Sequence, residues 1–242
     1  MVQIGFKSNT GVIRTNNEDA CFVIPSHDVY VVADGVGGNN AGEIASRTAV
    51  RGVAEYVTQE PLDSCKDDQE IYAYFEKCLK QVNDEIYMLG RKHKENQGMA
   101  TTVVIAYVKD DKAYILNVGD SRAYLFRGGM LSQITVDHTY VNELLKNGVI
   151  TTKEAENHSQ KNVITRALGA ELTVKADFFR IGLEKNDILM LCSDGLYGEV
   201  KEDKIVEILD RKDTMSDTCS RLVEEAIRCG GRDNITVVCL KI

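Results

Sequence analysis

Four aspartates stand where an apolar run of the sequence meets a loop, and each has a glycine or a small polar residue beside it. They are Asp34 after 29–33, Asp120 after 113–119, Asp194 after 188–193 and Asp233 before 235–238. Asp-Gly after a strand is by itself a common turn. Four such cases together predict that several carboxylates lie at one edge of a sheet.

Carboxylates gathered at one edge repel one another, because two charges about 4 Å apart cost roughly 4 kcal/mol at an effective dielectric of about 20. Protons or cations must offset that repulsion. Mg²⁺ and Mn²⁺ prefer carboxylate, carbonyl and water oxygens, and the neighbouring glycines let a backbone carbonyl approach an ion. Zinc is disfavoured, because the 4 histidines lie outside these motifs and none of the 7 cysteines forms a CxxC pair.

The segment 11–19 places one cation, Arg14, close to two acids, Glu18 and Asp19. A guanidinium binds a phosphate through two parallel hydrogen bonds, so Arg14 is a candidate phosphate ligand and, with Asp34, a candidate catalytic residue. Glu18 or Asp19 is a candidate for holding metal-bound water. The alternative is that this segment is a solvated turn with no chemical role.

Carboxylates that bind metal ions, together with an arginine that could bind phosphate, indicate phosphate chemistry, and the most demanding such reaction is hydrolysis of a phosphate monoester. Such esters need accelerations of up to about 10²¹-fold, whereas a single acid or base supplies about 10²–10⁴. Two ions acidify a bridging water and shield the phosphoryl oxygens. We therefore expect direct attack by that hydroxide without a phospho-enzyme, since no Cys-x5-Arg loop occurs and Ser121 lacks a paired base.

Six apolar, β-branched runs predict strands, and five amphipathic stretches predict helices. The predicted strands are 28–33, 100–108, 112–118, 122–126, 187–192 and 235–241, and the predicted helices are 41–57, 67–93, 139–147, 203–210 and 215–229. Turn residues within the runs 100–126 and 172–192 predict antiparallel hairpins. The fold class is therefore α+β, and without a Pro- or Ser-rich linker we expect one catalytic domain over residues 1–242.

The composition restricts the setting in which the chain works. Lys and Arg number 29 against 37 Asp and Glu, a net charge of −8 without a basic stripe, so we expect no binding to nucleic acid or to an anionic membrane. No run of about 18 apolar residues predicts a membrane span, and the first residues lack the features of a signal peptide. Seven scattered cysteines favour a reducing cytoplasm.

Eight short motifs follow one another along nearly the whole chain. They are 14–19 (RTNNED), 33–38 (ADGVGG) with 41–43 (AGE), 98–102 (GMATT), 117–122 (NVGDSR), 137–139 (DHT), 162–169 (NVITRALG), 193–196 (SDGL) and 231–234 (GRDN). Each is weak alone, but the ordered set resembles the metal-dependent protein phosphatases of the type 2C family, especially its compact bacterial members. The resemblance implies a four-layer α-β-β-α sandwich of two antiparallel sheets flanked by helices.

The resemblance also implies a set of metal ligands for two Mn²⁺ or Mg²⁺ ions. Asp34 is similar to the ligand that bridges both ions. Gly35 would give its carbonyl to one ion, and Asp194 and Asp233 would hold the other. Asp120, together with Asp194, is similar to the ligands of a third, weaker ion.

Further roles follow from the same resemblance. Arg14 matches the arginine that grips the substrate phosphate. Glu18 and Asp19 match outer or water-mediated positions without a choice between them, and Asn234 is expected to orient Asp233. The family implies proteins phosphorylated on serine or threonine as substrates, and a cognate Ser/Thr kinase and its targets as partners. We also expect a monomer.

The sequence departs from the family at one point. The family often places a histidine beside its Asp-Gly motif as a general acid, and here Val36 and Asn39 stand at those positions. Protonation of the leaving group then falls to a metal-bound water or to another group. We expect His138, the next candidate, to anchor a loop. The polar segment 139–161 resembles the family's flap, which we expect to be mobile and to influence substrate choice.

Two alternatives remain beside a protein serine/threonine phosphatase. One is a regulatory module with a decayed site, which the intact Asp34, Asp194 and Asp233 disfavour and the missing histidine leaves open. The other is a phosphatase of the same fold that acts on a small phosphorylated molecule or on one dedicated regulator.

Overall fold

The computed structural model describes residues 2–37, 41–60 and 62–242, and in these the chain forms eleven strands and seven α-helices. The strands are β1 (Gln3–Asn9), β2 (Asp19–Ile24), β3 (Val29–Val36), β4 (Ala100–Thr101), β5 (Val103–Lys109), β6 (Lys112–Val118), β7 (Arg122–Arg127), β8 (Met130–Gln133), β9 (Asp177–Gly182), β10 (Ile188–Cys192) and β11 (Ile235–Lys241). The helices are α1 (Ala41–Gln59), α2 (Asp68–Lys92), α3 (Tyr140–Lys146), α4 (Thr152–Glu156), α5 (Asp194–Tyr197), α6 (Glu202–Leu209) and α7 (Met215–Cys229).

The strands form two antiparallel sheets. The first sheet has the order β1-β11-β10-β7-β8. The second sheet has the order β2-β3-β5-β6-β9, with the short β4 paired to the end of β3. Because strands that are close in sequence are split between the sheets, the chain crosses from one to the other several times.

Three apolar layers hold the sheets and helices together. Side chains such as Val32 from the second sheet and Leu189 from the first fill the space between the sheets. On the outer face of the second sheet, Val31 packs with Phe75 of α2, and on the outer face of the first sheet Leu222 of α7 does the equivalent. Successive strand residues point to opposite faces, which is why neighbours such as Val31 and Val32 serve different layers. The predicted α-β-β-α sandwich is confirmed.

The long-helix predictions are confirmed to within two residues at each end. The stretch 67–93 forms α2, where Asp67 caps the N-terminus by accepting hydrogen bonds from the backbone N–H groups of Gln69 and Glu70. Its predicted apolar stripe lies against the second sheet, with Phe75 and Ile86 fully buried and Leu89 partly so. Periodicity was informative here because one face of each long helix is covered and the other is solvated.

The hairpin predicted within 172–192 is wrong, because its two strands belong to different sheets. β9 pairs with β6 in the second sheet, whereas β10 lies between β7 and β11 in the first. Arg127 of β7 holds the connection by donating to Asp187 at 2.9 Å and to Glu184 at 2.8 Å. Turn residues indicate that the chain reverses direction. Here β10 joins the other sheet and packs across the inter-sheet core, so it does not pair with β9.

The run 100–126 is also divided. β5 and β6 form the predicted hairpin, but the chain then crosses at 119–121 to β7 in the other sheet. At the start of the run, the strand predicted over 100–108 is broken at Thr102 into β4 and β5. Both irregular points lie at the end of the sandwich where Asp34 and Asp120 are found.

Three strands, β1, β2 and β8, were not predicted from the sequence. Each is an edge strand and carries an exposed apolar residue: Phe6 at 58%, Phe22 at 45% and Met130 at 71% exposure. Edge strands bury less of each residue, so their apolar pattern is weak. Among the described residues, no helix combines the length and the apolar character needed to cross a membrane.

Candidate active site

The predicted aspartates meet at one end of the sandwich, but they come from both sheets and not from one sheet edge. Asp34 lies near the end of β3, and Asp19, the first residue of β2, is its partner in the strand register. Asp120 is in the β6–β7 crossover, Asp194 begins α5 directly after β10, and Asp233 precedes β11. The aspartates come from both sheets because the ends of strands from the two stacked sheets, and the crossover between the sheets, come together at this end of the sandwich.

Two threonines fix the backbone of Asp34. Its N–H donates to Thr102 Oγ1 at 3.0 Å, and its carbonyl accepts from Thr102 N at 2.9 Å and from Thr101 Oγ1 at 2.8 Å. The Thr102 hydroxyl also lies 2.7 Å from the Ser121 hydroxyl, next to Asp120. The break between β4 and β5 therefore ties the Asp34 strand to the crossover. The sequence analysis gave neither threonine a role, although both lie in the 98–102 motif.

Burial and the charges of neighbouring carboxyl groups raise the pKa values of several aspartates in this group. Burial raises the pKa of Asp34 well above its ordinary value, and the charges of Asp19, Asp194, Asp120 and Asp233 raise it further. Burial likewise raises the pKa of Asp19 and of Asp120 to about 7. The pKa of Asp194 is raised by burial and by Asp233, while a hydrogen bond with Asp34 acts in the opposite direction. Two carboxyls that share a hydrogen bond need a proton between them, so the group calls for protons or cations.

Asp19 belongs to this group more closely than Glu18 does. Asp19 is 6% exposed, and its Oδ2 accepts a hydrogen bond of 2.6 Å from the hydroxyl of Ser193. Its Oδ1 is buried and has no hydrogen-bond partner among the described residues. The Glu18 carboxyl instead lies beside Arg14, whose charge lowers its pKa, although burial gives a net increase. An unpartnered buried carboxylate oxygen is expensive, and a cation or a cation-bound water would satisfy it.

Gly35 lies where β3 meets the first turn of α1. A Cβ atom at Gly35 would stand 2.1 Å from the carbonyl oxygen of Gly42, and one at Gly42 would stand 2.8 Å from the Gly35 carbonyl oxygen. The same added atom at Gly42 would be 2.7 Å from Glu18 Oε2. Only glycine allows this approach, which brings the Gly35 carbonyl and the Glu18 carboxylate to one place.

Asp233 is held by Arg14 in this structure. Arg14 Nη2 donates to Asp233 Oδ2 at 2.8 Å, and the two side chains are 51% and 37% exposed. An ion pair of this exposure is worth about 0–1 kcal/mol. Arg14 can therefore exchange Asp233 for a substrate phosphate, and Asp233 can exchange Arg14 for a metal ion, at little cost.

Asn234 holds the loop that carries Arg14 and does not orient Asp233 through its side chain. Its Oδ1 accepts from Glu18 N at 2.8 Å, and its Nδ2 donates to the carbonyls of Thr10 and Asn16, both at 2.9 Å. Only its backbone N–H reaches Asp233 Oδ1, also at 2.8 Å. The predicted orientation of Asp233 is thus made by the main chain.

We predict that Asn234→Ala lowers the free energy of unfolding by about 2–4 kcal/mol, because it removes three hydrogen bonds to half-buried backbone groups of residues 10–18. Urea unfolding followed by circular dichroism measures the change. Asn162→Ala, at an exposed turn, is the control and should unfold like the wild type. Equal stability of the two variants would show that water replaces the three bonds.

His138 anchors a loop, as predicted. Its Nδ1 accepts a hydrogen bond of 3.0 Å from Gly119 N, so the ring proton is on Nε2, which lies 3.2 Å from Asp177 Oδ2. Burial lowers the pKa of His138, so the neutral ring is favoured. Because Nδ1 holds Gly119 of the crossover and Nε2 contacts Asp177 and Arg166, the ring has no free proton to give to a leaving group. Val36 is exposed, and Asn39 lies outside the described residues.

A buried arginine supports Asp120 from behind, and sequence reasoning missed its role. Arg122 Nη2 donates to Asp137 at 2.6 Å, and its guanidinium lies 3.5 Å from the centre of the Tyr197 ring. The Tyr197 hydroxyl in turn donates to the Asp120 carbonyl at 2.9 Å. Arg122 and Asp137 both lie in the quoted motifs, but the sequence gave no sign that they pair.

The residues fit a hard dication with oxygen ligands. Among the described residues, no three His, Cys, Asp or Glu side chains are grouped tightly enough to enclose an ion by themselves. Mg²⁺ and Mn²⁺ sites of this chemistry keep several waters and take few protein ligands, so a loose group of carboxylates with a backbone carbonyl nearby suits them.

Comparison with known proteins agrees with this geometry. The family model described as protein phosphatase 2C matches residues 13–229. The chain is 39% identical to the serine/threonine phosphatase stp of Listeria monocytogenes over 236 residues, which cover 96% of this chain and 93% of that protein. Among solved structures, the S. agalactiae serine/threonine phosphatase superposes with a TM-score of 0.92 at 32% identity, covering 100% of both chains. The catalytic domain of the phosphatase PstP, solved with two manganese ions, gives a TM-score of 0.86 at 32% identity, covering 99% of this chain and 97% of that one.

Proposed function

The chain belongs to the protein phosphatase 2C family and is a metal-dependent serine/threonine phosphatase, and from this premise we propose which of its residues hold the metal ions. The observation that carries the proposal is the group of five buried or half-buried aspartates, in four of which (Asp19, Asp34, Asp120 and Asp194) burial and the charges of neighbouring carboxyls raise the pKa. When bound, two Mn²⁺ or Mg²⁺ ions supply a water acidified to near-neutral pKa and neutralise charge on the phosphoryl oxygens.

We assign the ligands by their places in the group. Asp34 would bridge the two ions, since all of the other aspartates of the group act on its pKa. The Gly35 carbonyl would serve one ion, and Asp194 and Asp233 the other. Asp120, whose pKa is raised by the nearby Asp194, would share a third, weaker ion with it.

The remaining carboxyls would act through water. Asp19 would orient a water with its unpartnered Oδ1, while its Oδ2 stays bound to Ser193. Glu18, beside Gly35 and Gly42, would hold a metal-bound water. Asn234 holds Glu18 and the loop around it in place.

Arg14 would bind the substrate phosphate through its guanidinium. Release from Asp233 frees the Nη2 N–H that the ion pair holds, and the planar guanidinium can then donate two parallel hydrogen bonds to a phosphate. The chain therefore places its phosphate-binding cation next to a proposed metal ligand, so the ester oxygens would be fixed between the two.

We predict that Arg14→Ala raises KM for a phosphothreonine peptide by about 10- to 100-fold, since a hydrogen bond between charged groups is worth about 1.5–3 kcal/mol. Arg14→Lys should recover only part of this loss, because an ammonium cannot form two parallel bonds. Steady-state kinetics and thermal unfolding of both variants make the test. An unchanged KM in Arg14→Ala would return Arg14 to the role of a surface ion pair.

Phosphorylated proteins are the substrate class, as the family membership indicates. We propose further that a cognate Ser/Thr kinase and its targets are the partners and that the chain acts as a monomer. We also propose that residues 1–242 form one catalytic domain whose flap, 139–161, contains α3 and α4 and influences substrate choice. A cytoplasmic location is supported by seven cysteines that all remain thiols.

The deciding experiment is hydrolysis of a phosphothreonine peptide with Mn²⁺, with Mg²⁺ and with EDTA. We expect turnover with either ion and none in EDTA. An aryl phosphate serves as a reference ester, and phosphosugars test the alternative of a small-molecule phosphatase. Metal-independent turnover would contradict the proposed centre, and a preference for phosphosugars would contradict the substrate class.

A further inference from the structure

An apolar groove of about 430 Å³ opens beside the catalytic end of the sandwich. Its lining includes Val36, Ala100, Ile164, Ala167 and Ala170. Val36 is 43% exposed although it ends a strand that is otherwise almost fully buried. An exposed apolar side chain at the end of a core strand is a feature that packing alone does not explain.

The groove continues directly from the place where the phosphate must bind. Alternate residues of a strand share one face, so Asp34 and Val36 point the same way, about 7 Å apart. Val36 pairs in register with Ala100 of β4, which lines the groove as well. A chain that presents its phosphoryl group at Asp34 therefore passes over the groove within one or two residues.

The wall of the groove is held rigidly from below. Asn83 of α2 is 1% exposed, and its Nδ2 donates to the carbonyls of Glu171 at 3.0 Å and Leu172 at 3.2 Å. Its Oδ1 accepts from Gly169 N at 2.8 Å. On the other side, Arg166 is fixed by a bond of 2.9 Å to Asp177. A preformed groove binds its occupant without a cost of ordering the protein.

Basic residues line the region beyond Ala170. This residue also lines a second cavity of about 550 Å³, together with Arg91, His93 and Lys94 from the end of α2. Such a grouping of basic residues stands out in a chain of net charge −8. It is complementary to acidic residues of an approaching chain.

We propose that the two cavities form one path for the substrate polypeptide, with an apolar side chain between Val36 and Ala170 and acidic residues near Arg91 and Lys94. The proposal rests on the phosphatase function above and names the sequence around the phosphorylated residue that this site prefers. A small phosphorylated molecule is too short to use the path, so the groove distinguishes a phosphoprotein from other esters.

Phosphothreonine peptides test the apolar part. Leucine or aspartate is placed singly at each position within three residues of the phosphothreonine, and kcat/KM is divided by that for an aryl phosphate. We expect leucine to exceed aspartate about tenfold at one position. Ala170→Phe, which fills the groove, should reduce the preference to less than about twofold. Leu172→Phe adds the same ring to the same loop outside the groove and should keep the wild-type preference.

A second peptide series tests the basic end. Two glutamates placed beyond the preferred leucine should raise the ratio about fivefold over two lysines at low salt, and Lys94→Glu should remove that advantage. If Lys94→Glu keeps the wild-type preference for acidic residues, the proposed basic end of the path is wrong. Hydrolysis of all peptides at equal rates, or a leucine preference unchanged in Ala170→Phe, would overturn the groove. Failure of the wild type to hydrolyse the aryl phosphate with Mn²⁺ would instead count against the proposed function.

Discussion

Asp34→Asn is expected to abolish phosphatase turnover and, at the same time, to make the metal-free protein more stable. Loss of the proposed bridging ligand should lower kcat by about 10³-fold or more. Asparagine keeps the backbone bonds to Thr101 and Thr102, so the strand end should not move. The substitution removes a buried carboxyl group whose pKa is raised by burial and by four neighbouring aspartates.

Measuring stability as well as turnover distinguishes a metal ligand from a residue that is needed only for folding. In EDTA, relief of the repulsion should raise Tm by about 3–6 °C, the equivalent of about 1–2 kcal/mol in a chain of this size. Adding Mn²⁺ should raise the Tm of the wild type and leave that of Asp34→Asn almost unchanged. Calorimetry with and without Mn²⁺ gives both numbers.

Asp84→Asn is the matched control, since Asp84 is exposed on α2, away from the group. It should behave as the wild type in turnover, in EDTA and with Mn²⁺. Wild-type turnover in Asp34→Asn, or a variant that loses stability in EDTA and still gains it with Mn²⁺, would remove Asp34 from the metal centre.

The second large effect is a fall in stability of the metal-free protein as pH rises from about 5 to 8. The folded state raises the pKa of Asp19 and of Asp120 from 3.8 to about 7. Such groups favour folding fully below the unfolded pKa, and this contribution is lost as pH rises through the folded pKa. At about 1.4 kcal/mol for each pH unit between the two values, each carboxyl costs the folded chain about 4 kcal/mol once ionised.

Asp34, Asp194 and Glu18, whose pKa values burial raises, act in the same direction, and further groups titrate outside this window or against it. Hydrogen bonds and charges lower the pKa of Asp177 and Asp187, so the stability they give is lost only in more acidic solution. Burial lowers the pKa of His138, which makes folding more favourable as pH rises and opposes the aspartates. A comparison of variants is therefore needed to isolate the carboxyl contribution.

Asp19→Asn supplies that comparison, because its amide oxygen can still accept from Ser193. In EDTA, the stability difference between wild type and variant should change by about 3 kcal/mol between pH 5 and pH 8, with the variant gaining, because about two of the pH units between the unfolded and folded pKa lie in this range. Chemical unfolding at several pH values measures it, and His138 cancels in the difference. With saturating Mn²⁺ at pH 8, the wild type should recover. A difference that does not vary with pH would show that Asp19 ionises like a surface carboxyl.

Local patterns in the sequence predicted those helices and strands whose own residues show a clear pattern of burial. The stripe from Ile71 to Ile86 identified α2, and Asp-Gly after an apolar strand located Asp34 and Asp194. Both signals arise because residues close together in the sequence share the same burial pattern. They can therefore be recognised from the order of apolar and polar residues.

Relations between distant segments were not predictable in the same way. The turn before Asp187 looks the same whether β10 pairs with β9 or stacks above it, so the hairpin prediction failed. The closeness of Asp19 to Asp34 depends on the register of β2, an edge strand with a weak pattern. The support of Asp120 by Arg122 and Tyr197 depends on side-chain geometry that no spacing rule contains.

The position of β11 sets the order in which the enzyme can be assembled. It comes last in chain order among the described strands, yet it lies between β1 and β10 and brings Asn234 to the loop of residues 10–18. Contacts between residues so far apart form late in folding. A nascent chain still lacking β11 on the ribosome therefore has a gap in its first sheet and no closed phosphate site, so dephosphorylation cannot begin before synthesis has passed residue 241.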